Sequence, residues 1–266
     1  MAANGVLNLF KPPGPTSMEV VRRVKRFTRD PKVGHGGTLD PIADGVLPIL
    51  FGSASRTMEY LIDSTKLYRA ELVLGVTTDT LDAAGTVVAT KDSSGVTLAD
   101  VERALAGFRG TIMQVPPAYS AIKHDGQRSY EMARAGQEPP QKPRQVQVLR
   151  LEVTGWAPPS VFLEVECGRG MYIRSLAHDV GEALSCGAHL RALTRLRTGP
   201  FRAEDSVTLE TFEQAGADQR WEELLYPVDF VLSSLPAAVV LGPMVQAICR
   251  GQQVPLAGHR RNTLQH

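Results

Sequence analysis

Asp40 closes the run Gly34-His35-Gly36-Gly37-Thr38-Leu39-Asp40-Pro41, in which three of the first four residues are glycine. Glycine permits positive φ and close backbone approach, and Pro41 biases Asp40 away from the α region. The run therefore holds a carboxylate on a tight, irregular loop. Turn statistics give the same pattern a plainer reading, a connector whose Asp caps a turn. A second residue to place is Tyr68, an aromatic whose plain reading is half-buried packing on a sheet. A third is Arg174, at the end of Gly168-Arg-Gly-Met-Tyr-Ile-Arg174. That arginine stands where a strand passes into a helix, an end at which the macrodipole disfavours a cation. A carboxylate partner would explain its placement.

The elements that must carry these groups follow from periodicity. Val6 to Phe10 reads as a strand ended by Lys11-Pro-Pro-Gly-Pro15, and Thr16 with Glu19 forms a capping-box pattern for a helix. Val20, Val21, Val24 and Phe27 share one face of that helix, leaving Arg22, Arg23, Lys25, Arg26 and Arg29 around the rest. Val46 to Phe51 predicts a buried strand in which Pro48 suggests an edge or a bulge. A short helix is expected over 55–62. From Tyr68 to Leu74 the chain alternates, placing Tyr68, Ala70, Leu72 and Leu74 together. Further expectations are a strand at Val87-Val88, a helix over 98–108, strands over 146–153 and 161–167, and a helix marked by Ile173, Leu176, Ala177, Val180 and Leu184. The run 187–201, apolar at Leu190, Leu193 and Leu196 and basic at Arg191, Arg195 and Arg197, fits either a helix or a strand with a wet side.

With 266 residues and 43% hydrophobic content, the chain can bury a sizeable core. It contains no run of about 18 apolar residues and no charged-then-apolar start, so a cytoplasmic protein is expected. Its three cysteines, Cys167, Cys186 and Cys249, are odd in number and far apart, which argues against a disulfide framework or a cysteine metal site. The six histidines are equally scattered. No metal and no cofactor is expected. A net charge of +1 says little for a nucleic-acid partner, but its distribution is lopsided. Basic residues crowd 22–32, whereas 204–229 is acidic apart from Arg220. The stretch 123–144 interleaves Lys123, Arg128, Arg134, Lys142 and Arg144 with Tyr130, a composition that suits RNA backbone and an unstacked base.

Several ordered segments carry a resemblance. They are Asn4 to Ser17, Gly34 to Pro41, Ala43 to Gly52, the Tyr-Arg-x-x-x-x-Leu-Gly strand from Tyr68, Thr77 to Asp82, Gly110 to Lys123, and Gly187 onward. Over nearly all of residues 4–230 the sequence resembles the TruB-type tRNA pseudouridine synthases. The resemblance implies an α+β pseudouridine synthase fold: a central mixed, mostly antiparallel sheet flanked by helices and loops, plus a short C-terminal piece. Residues 1–232 would form the catalytic domain, with an RNA-binding insertion at about 120–145. Residues 233–266 resemble the opening of a small PUA-like RNA-binding domain, and are too few for a core of their own.

The implied activity is isomerisation of the uridine at position 55 in the T loop of tRNA, by a cytoplasmic monomer. The family's nucleophile falls on Asp40, its uracil-stacking tyrosine on Tyr68, the arginine that pairs with the nucleophile on Arg174, and an apolar residue near the carboxylate on Leu196. An arginine beside Asp40 would favour its charged form. His35 could fill the space left by a flipped base. Lys11, Arg22, Arg23, Lys123 and Arg128 are candidate substrate contacts, and Arg169 is a possible phosphate contact. Attack on C6, attack on C1′ and proton removal from C2′ stay open as routes. The alternatives are a guide-RNA-dependent subunit, which the insertion disfavours, and an RNA-binding or remodelling protein on the same fold.

Overall fold

The computed structural model describes residues 3–28, 32–120, 123–124, 127–137, 139–140, 142–238, 240 and 242–253. In chain order they form β1 (Gly5–Lys11), α1 (Ser17–Thr28), β2 (Val33–His35), β3 (Asp44–Phe51), a 3₁₀ turn (Gly52–Thr57) that runs into α2 (Met58–Asp63), and β4 (Lys66–Leu74). A hairpin of β5 (Val76–Thr78) and β6 (Val87–Thr90) follows, then α3 (Leu98–Ala106), β7 (Gly110–Gln114), the small hairpin β8 (Lys123–His124) and β9 (Gln127–Arg128), and α4 (Ser129–Arg134). The chain continues through β10 (Arg144–Ala157), β11 (Ser160–Cys167), α5 (Ile173–Ala183), β12 (Ala188–Thr198), β13 (Phe201–Arg202), β14 (Val207–Thr208), α6 (Leu209–Ala217), β15 (Leu225–Tyr226) and α7 (Pro243–Cys249).

One sheet organises all of this, in the order β14-β1-β3-β12-β4-β11-β10-β7, with β13, β15 and β2 pairing beside that path. Its pairings are antiparallel except β1 with β14 and β3 with β12, so the sheet is mixed and mostly antiparallel. The central strands differ in a way their burial explains. β1 and β3 are buried almost throughout, because the helical face carries Leu7, Leu9, Leu47 and Ile49 into the main core while Val6, Val46 and Leu50 join a second cluster with Leu61, Phe201 and Val231. β4 and β11 alternate instead, with Ala70, Leu72, Leu163 and Val165 under α5 and the opposite residues half-buried or exposed. That opposite face carries ion pairs such as Arg191–Glu71 and Arg197–Glu166.

Local signals behave as expected. Thr16 and Glu19 form the capping box: the Glu19 carboxylate accepts from the Thr16 backbone N–H at 2.7 Å, and the Glu19 N–H donates to the Thr16 hydroxyl at 3.2 Å. The run 187–201 resolves as strand β12. Pro48 sits inside the sheet rather than at an edge. Its carbonyl accepts from Gly36 N–H at 2.8 Å, so its nitrogen faces the side on which β2 gives way to the glycine-rich loop, where no ladder donor is needed. Of the C-terminal piece beyond residue 232, α7 is exposed along its described residues except the half-buried Ala247, and residues 254–266 lie outside the described set.

Lys66, 7% exposed, supports the loop from below. Its ammonium donates to the carbonyls of Leu61, Ile62 and Ser64 at 2.8, 2.5 and 2.6 Å, at the end of α2 where a cation is favoured. Leu61 in turn lies against Gly36, where an added Cβ would come within 2.7 Å of its Cδ1. Burial pushes the Lys66 pKa down from 10.5 to about 8. Below about pH 8 the lysine is charged in both folded and unfolded chains, and between about 8 and 10.5 only the unfolded chain keeps the proton, so this group's contribution to stability rises across that window. The stability gap between the parent protein and Lys66→Met, measured by urea unfolding, is expected to shift in the parent's favour from pH 8 to 10.5. A gap that stays level would contradict a desolvated ammonium.

Candidate active site

The glycine-rich loop has few side chains with which to hold itself, so its neighbours hold its backbone. Ser17, in the first turn of α1, donates its hydroxyl to the Leu39 carbonyl at 3.0 Å and accepts the Leu39 N–H at 2.9 Å. Gly14 N–H donates to the Pro41 carbonyl at 2.8 Å, and Ala43 N–H to the Asp40 carbonyl at 3.1 Å. Lys11 corrects an expectation. It is 0% exposed, and its ammonium donates to the carbonyls of Pro12, Pro41 and Ala43 at 2.9, 3.4 and 2.6 Å. A group so enclosed ties β1 to the loop and does not reach a phosphate. Burial pushes its pKa down to about 8 against the opposing pull of Asp44 and Asp40.

Arg174 enters from α5. Its Nε donates to Asp40 Oδ2 at 2.8 Å and its Nη2 to Asp40 Oδ1 at 3.1 Å, a two-point pairing. The remaining donors reach the carbonyls of Thr80 at 3.0 Å and Tyr119 at 2.9 Å, and Asp82 Oδ2 lies 3.7 Å from Nε. The arginine side chain is 4% exposed and that of Asp40 30%. The guanidinium is thus locked on every side, while the carboxylate keeps an open flank. Asp82 is fixed in turn, because its Oδ1 accepts from the Thr80 hydroxyl at 2.6 Å and from Ala84 N–H at 3.0 Å. Just before Arg174, Gln114 grips the backbone of Tyr172 from both sides, donating to its carbonyl at 3.0 Å and accepting its N–H at 2.9 Å.

Tyr68 lies half-buried on β4, on the face shared with Ala70, Leu72 and Leu74. Burial pushes its phenol pKa up, with Arg195 opposing and Asp40 adding to the rise. The pairing of β12 with β4 slips between Arg195 and Arg197, so Leu196 falls in a bulge, outside both hydrophobic clusters. Leu193, opposite Ala70, and Leu190, opposite Leu72, are buried apolar residues of β12 on the Tyr68 face. Sequence reasoning missed Ser17, Gln114, Asp82 and Arg195 as parts of the site. Arg195 was visible only as one of three basic positions in the run 187–201.

His35 is half-buried and accepts at Nδ1 from Gly37 N–H at 3.4 Å. Arg22 is exposed on α1, whereas Arg23 pairs with Glu213 of α6 at 2.7 Å and so helps hold α1 to α6. The side chains of Lys123 and Arg128 lie outside the described set. Arg169 is engaged with Asp63 at 2.9 Å and Glu59 at 3.7 Å, all three largely exposed.

With this geometry in hand, comparison with known proteins is decisive. Residues 25–173 match the family model described as TruB family pseudouridylate synthase, N-terminal domain, and residues 174–233 that of the tRNA pseudouridylate synthase B C-terminal domain. The chain belongs to the TruB family. It is 46% identical over 98% of its length to tRNA pseudouridine synthase B of Thiobacillus denitrificans, spanning 87% of that protein. It is 42% identical over 95% of its length to the protein of the same name from Dehalococcoides mccartyi, spanning 84% of that relative. Among solved structures, one of a Cbf5-Nop10-Gar1 complex matches at TM-score 0.69 and 31% identity, covering 88% of this chain and 63% of that one. As a member of the TruB family, the protein is an isomerase with the pseudouridine synthase fold. The border between the two matched segments falls at the Asp40 partner itself, and β12 from the second is inserted between β3 and β4 from the first, so both build one TruB sheet.

Ser17→Ala removes both bonds to Leu39 and is expected to cost about 1 to 2 kcal/mol of stability. It should also slow turnover more than it weakens RNA binding, since the loop loses its tie to α1. Calorimetry and single-turnover kinetics test this, and unchanged values in both would contradict the tie.

Proposed function

We propose that this protein converts uridine to pseudouridine in tRNA, at position 55 of the T loop, with Asp40 as the nucleophile. The observation that carries the reading is the two-point pairing of Arg174 with a carboxylate that still has an open flank, with Tyr68 near enough that this carboxylate adds to the rise of its phenol pKa. The name shared by the two relatives described above, tRNA pseudouridine synthase B, supports tRNA as the substrate.

A glycosidic bond cannot be reached while its base is stacked, so the nucleotide must be flipped at a cost of a few kcal/mol, smaller in a loop. Backbone contacts supply part of that energy, and the exposed Arg22 and Arg26 of α1, with the insertion between β7 and β10, are the candidates. Tyr68 stacks on the extruded uracil, an interaction typically worth about 1 to 3 kcal/mol. Its raised pKa keeps the phenol neutral, as suits a stacking ring and hydrogen-bond donor. Held by Arg174, Asp40 attacks C6 or C1′, or removes the C2′ proton. By each route the N1–C1′ bond breaks, the base turns, and a C5–C1′ bond forms. The C5 proton is then lost and N1 gains one, so the reaction balances without an oxidant or reductant. His35, next to the loop's glycines, fills the space left in the T loop.

The likeness to a Cbf5 complex raises the guide-RNA-dependent alternative. The higher identity to tRNA pseudouridine synthase B proteins over nearly the whole chain favours the stand-alone enzyme. We place it in the cytoplasm, acting as a monomer on the T stem-loop. No described helix is long and apolar enough to cross a membrane.

The test is incubation of the purified protein with unmodified tRNA and no other RNA, followed by mapping of pseudouridine. Repeated turnover at one T-loop position is expected, and a requirement for a second RNA would establish the alternative. Asp40→Asn should keep tRNA affinity and lose product, and appreciable pseudouridine from it would remove Asp40 as nucleophile. Arg174→Lys should slow the chemical step by at least about 100-fold, because a point-charge ammonium cannot reproduce the fork that orients the carboxylate. Near-parental turnover would detach Arg174 from the site.

A further inference from the structure

Arg195 is a buried cation that the proposed chemistry does not use. Strand register sets it directly opposite Tyr68 of β4, and on its other side it pairs with Gly45 of β3. Directly opposed residues in an antiparallel ladder share a face, with Cβ atoms about 4.5 to 5.5 Å apart. The residue is 2% exposed, yet among the described residues it forms no ion pair with a carboxylate. Its guanidinium donates instead to backbone carbonyls: Nε to Val46 at 2.8 Å, Nη1 to Thr38 at 3.3 Å and Nη2 to Gly37 at 3.1 Å.

A desolvated charge of this kind is costly, and an apolar side chain would fill the same place in a core strand at less cost. What only a planar fork can do is bond several acceptors in fixed directions at once. Those acceptors are informative. Gly37 and Thr38 lie three and two residues before Asp40, and Tyr68 stands directly across the ladder, near enough that the guanidinium opposes the rise of its phenol pKa. There is no slack in the mounting. A Cβ added to Gly45 would lie 2.3 Å from the Arg195 carbonyl oxygen and 2.7 Å from its nitrogen, at a φ of +105°. The Arg195 backbone is therefore seated hard against β3.

We propose that Arg195 is a positioning residue that fixes the Tyr68 ring relative to the loop bearing Asp40, a proposal that rests on the catalytic reading above. Arg174 holds the carboxylate; Arg195 holds the ring and the backbone behind that carboxylate. It acts on the reaction through these groups, without touching the substrate.

The test compares Arg195→Lys and Arg195→Met in the parent and in a Tyr68→Phe background, by single-turnover pseudouridine formation and by tRNA affinity. Arg195→Lys is expected to slow the chemical step by about 100-fold with affinity unchanged, since small misplacements near reacting atoms have effects of that size. In the Tyr68→Phe background the same substitution should cost several-fold less, because residues acting as a unit are not additive. Equal losses in both backgrounds would reduce Arg195 to a general structural role, and a parental rate for Arg195→Lys would remove it altogether; either result overturns the proposal. Should Arg195→Met fail to fold by circular dichroism, the lysine variant alone gives the comparison. A parent protein that makes no pseudouridine would instead sink the catalytic reading, so the two failures are distinguishable.

Discussion

A carboxylate and a guanidinium 134 residues apart in sequence meet at 2.8 and 3.1 Å, and the rest of the molecule serves that meeting. Removing one member of a well-buried ion pair typically costs about 3 to 5 kcal/mol, because the survivor is left desolvated. Here the two members differ: Arg174 is 4% exposed and saturated by carbonyls, while Asp40 remains 30% exposed. The asymmetry has a functional sense. The cation is fixed like a core group, and the anion retains a face from which it can react.

The loop that presents Asp40 poses a physical difficulty, since a glycine-rich backbone is mobile unless something else restrains it. The solution is a ring of donors from outside the loop. Lys11 from β1, Ser17 from α1 and Arg195 from β12 each bond loop atoms, and Lys66 steadies α2, whose Leu61 rests on Gly36. Two of these donors are lysines whose burial lowers their pKa, a cost accepted at a site that must keep its shape.

Much of this was legible in the residues. The Thr16–Glu19 box, the alternation from Tyr68 to Leu74 and the placement of Arg174 at a helix start each have one local cause, and each is found in the structure. The run 187–201 was not legible for a definite reason. Leu190, Leu193 and Leu196 recur every third residue, and β12 accommodates that spacing through two irregularities, after Leu190 and after Arg195, that no local pattern announces. Leu196 sits in the second of them. Lys11 and Arg195 were misread for a related reason: cations normally mark solvated faces, and these two are buried because their partners are carbonyls distant in sequence.

The family match and the sheet topology agree on what kind of machine this is, and the site explains why each strand is where it is. The most direct measurement of the central claim is a structure of the protein bound to a T stem-loop RNA. The account predicts an extruded uracil lying on Tyr68, within reach of the open flank of Asp40, with Arg174 still bonded to both carboxylate oxygens. A uracil lodged away from Asp40, or an Arg174 turned from the carboxylate in the bound state, would contradict it.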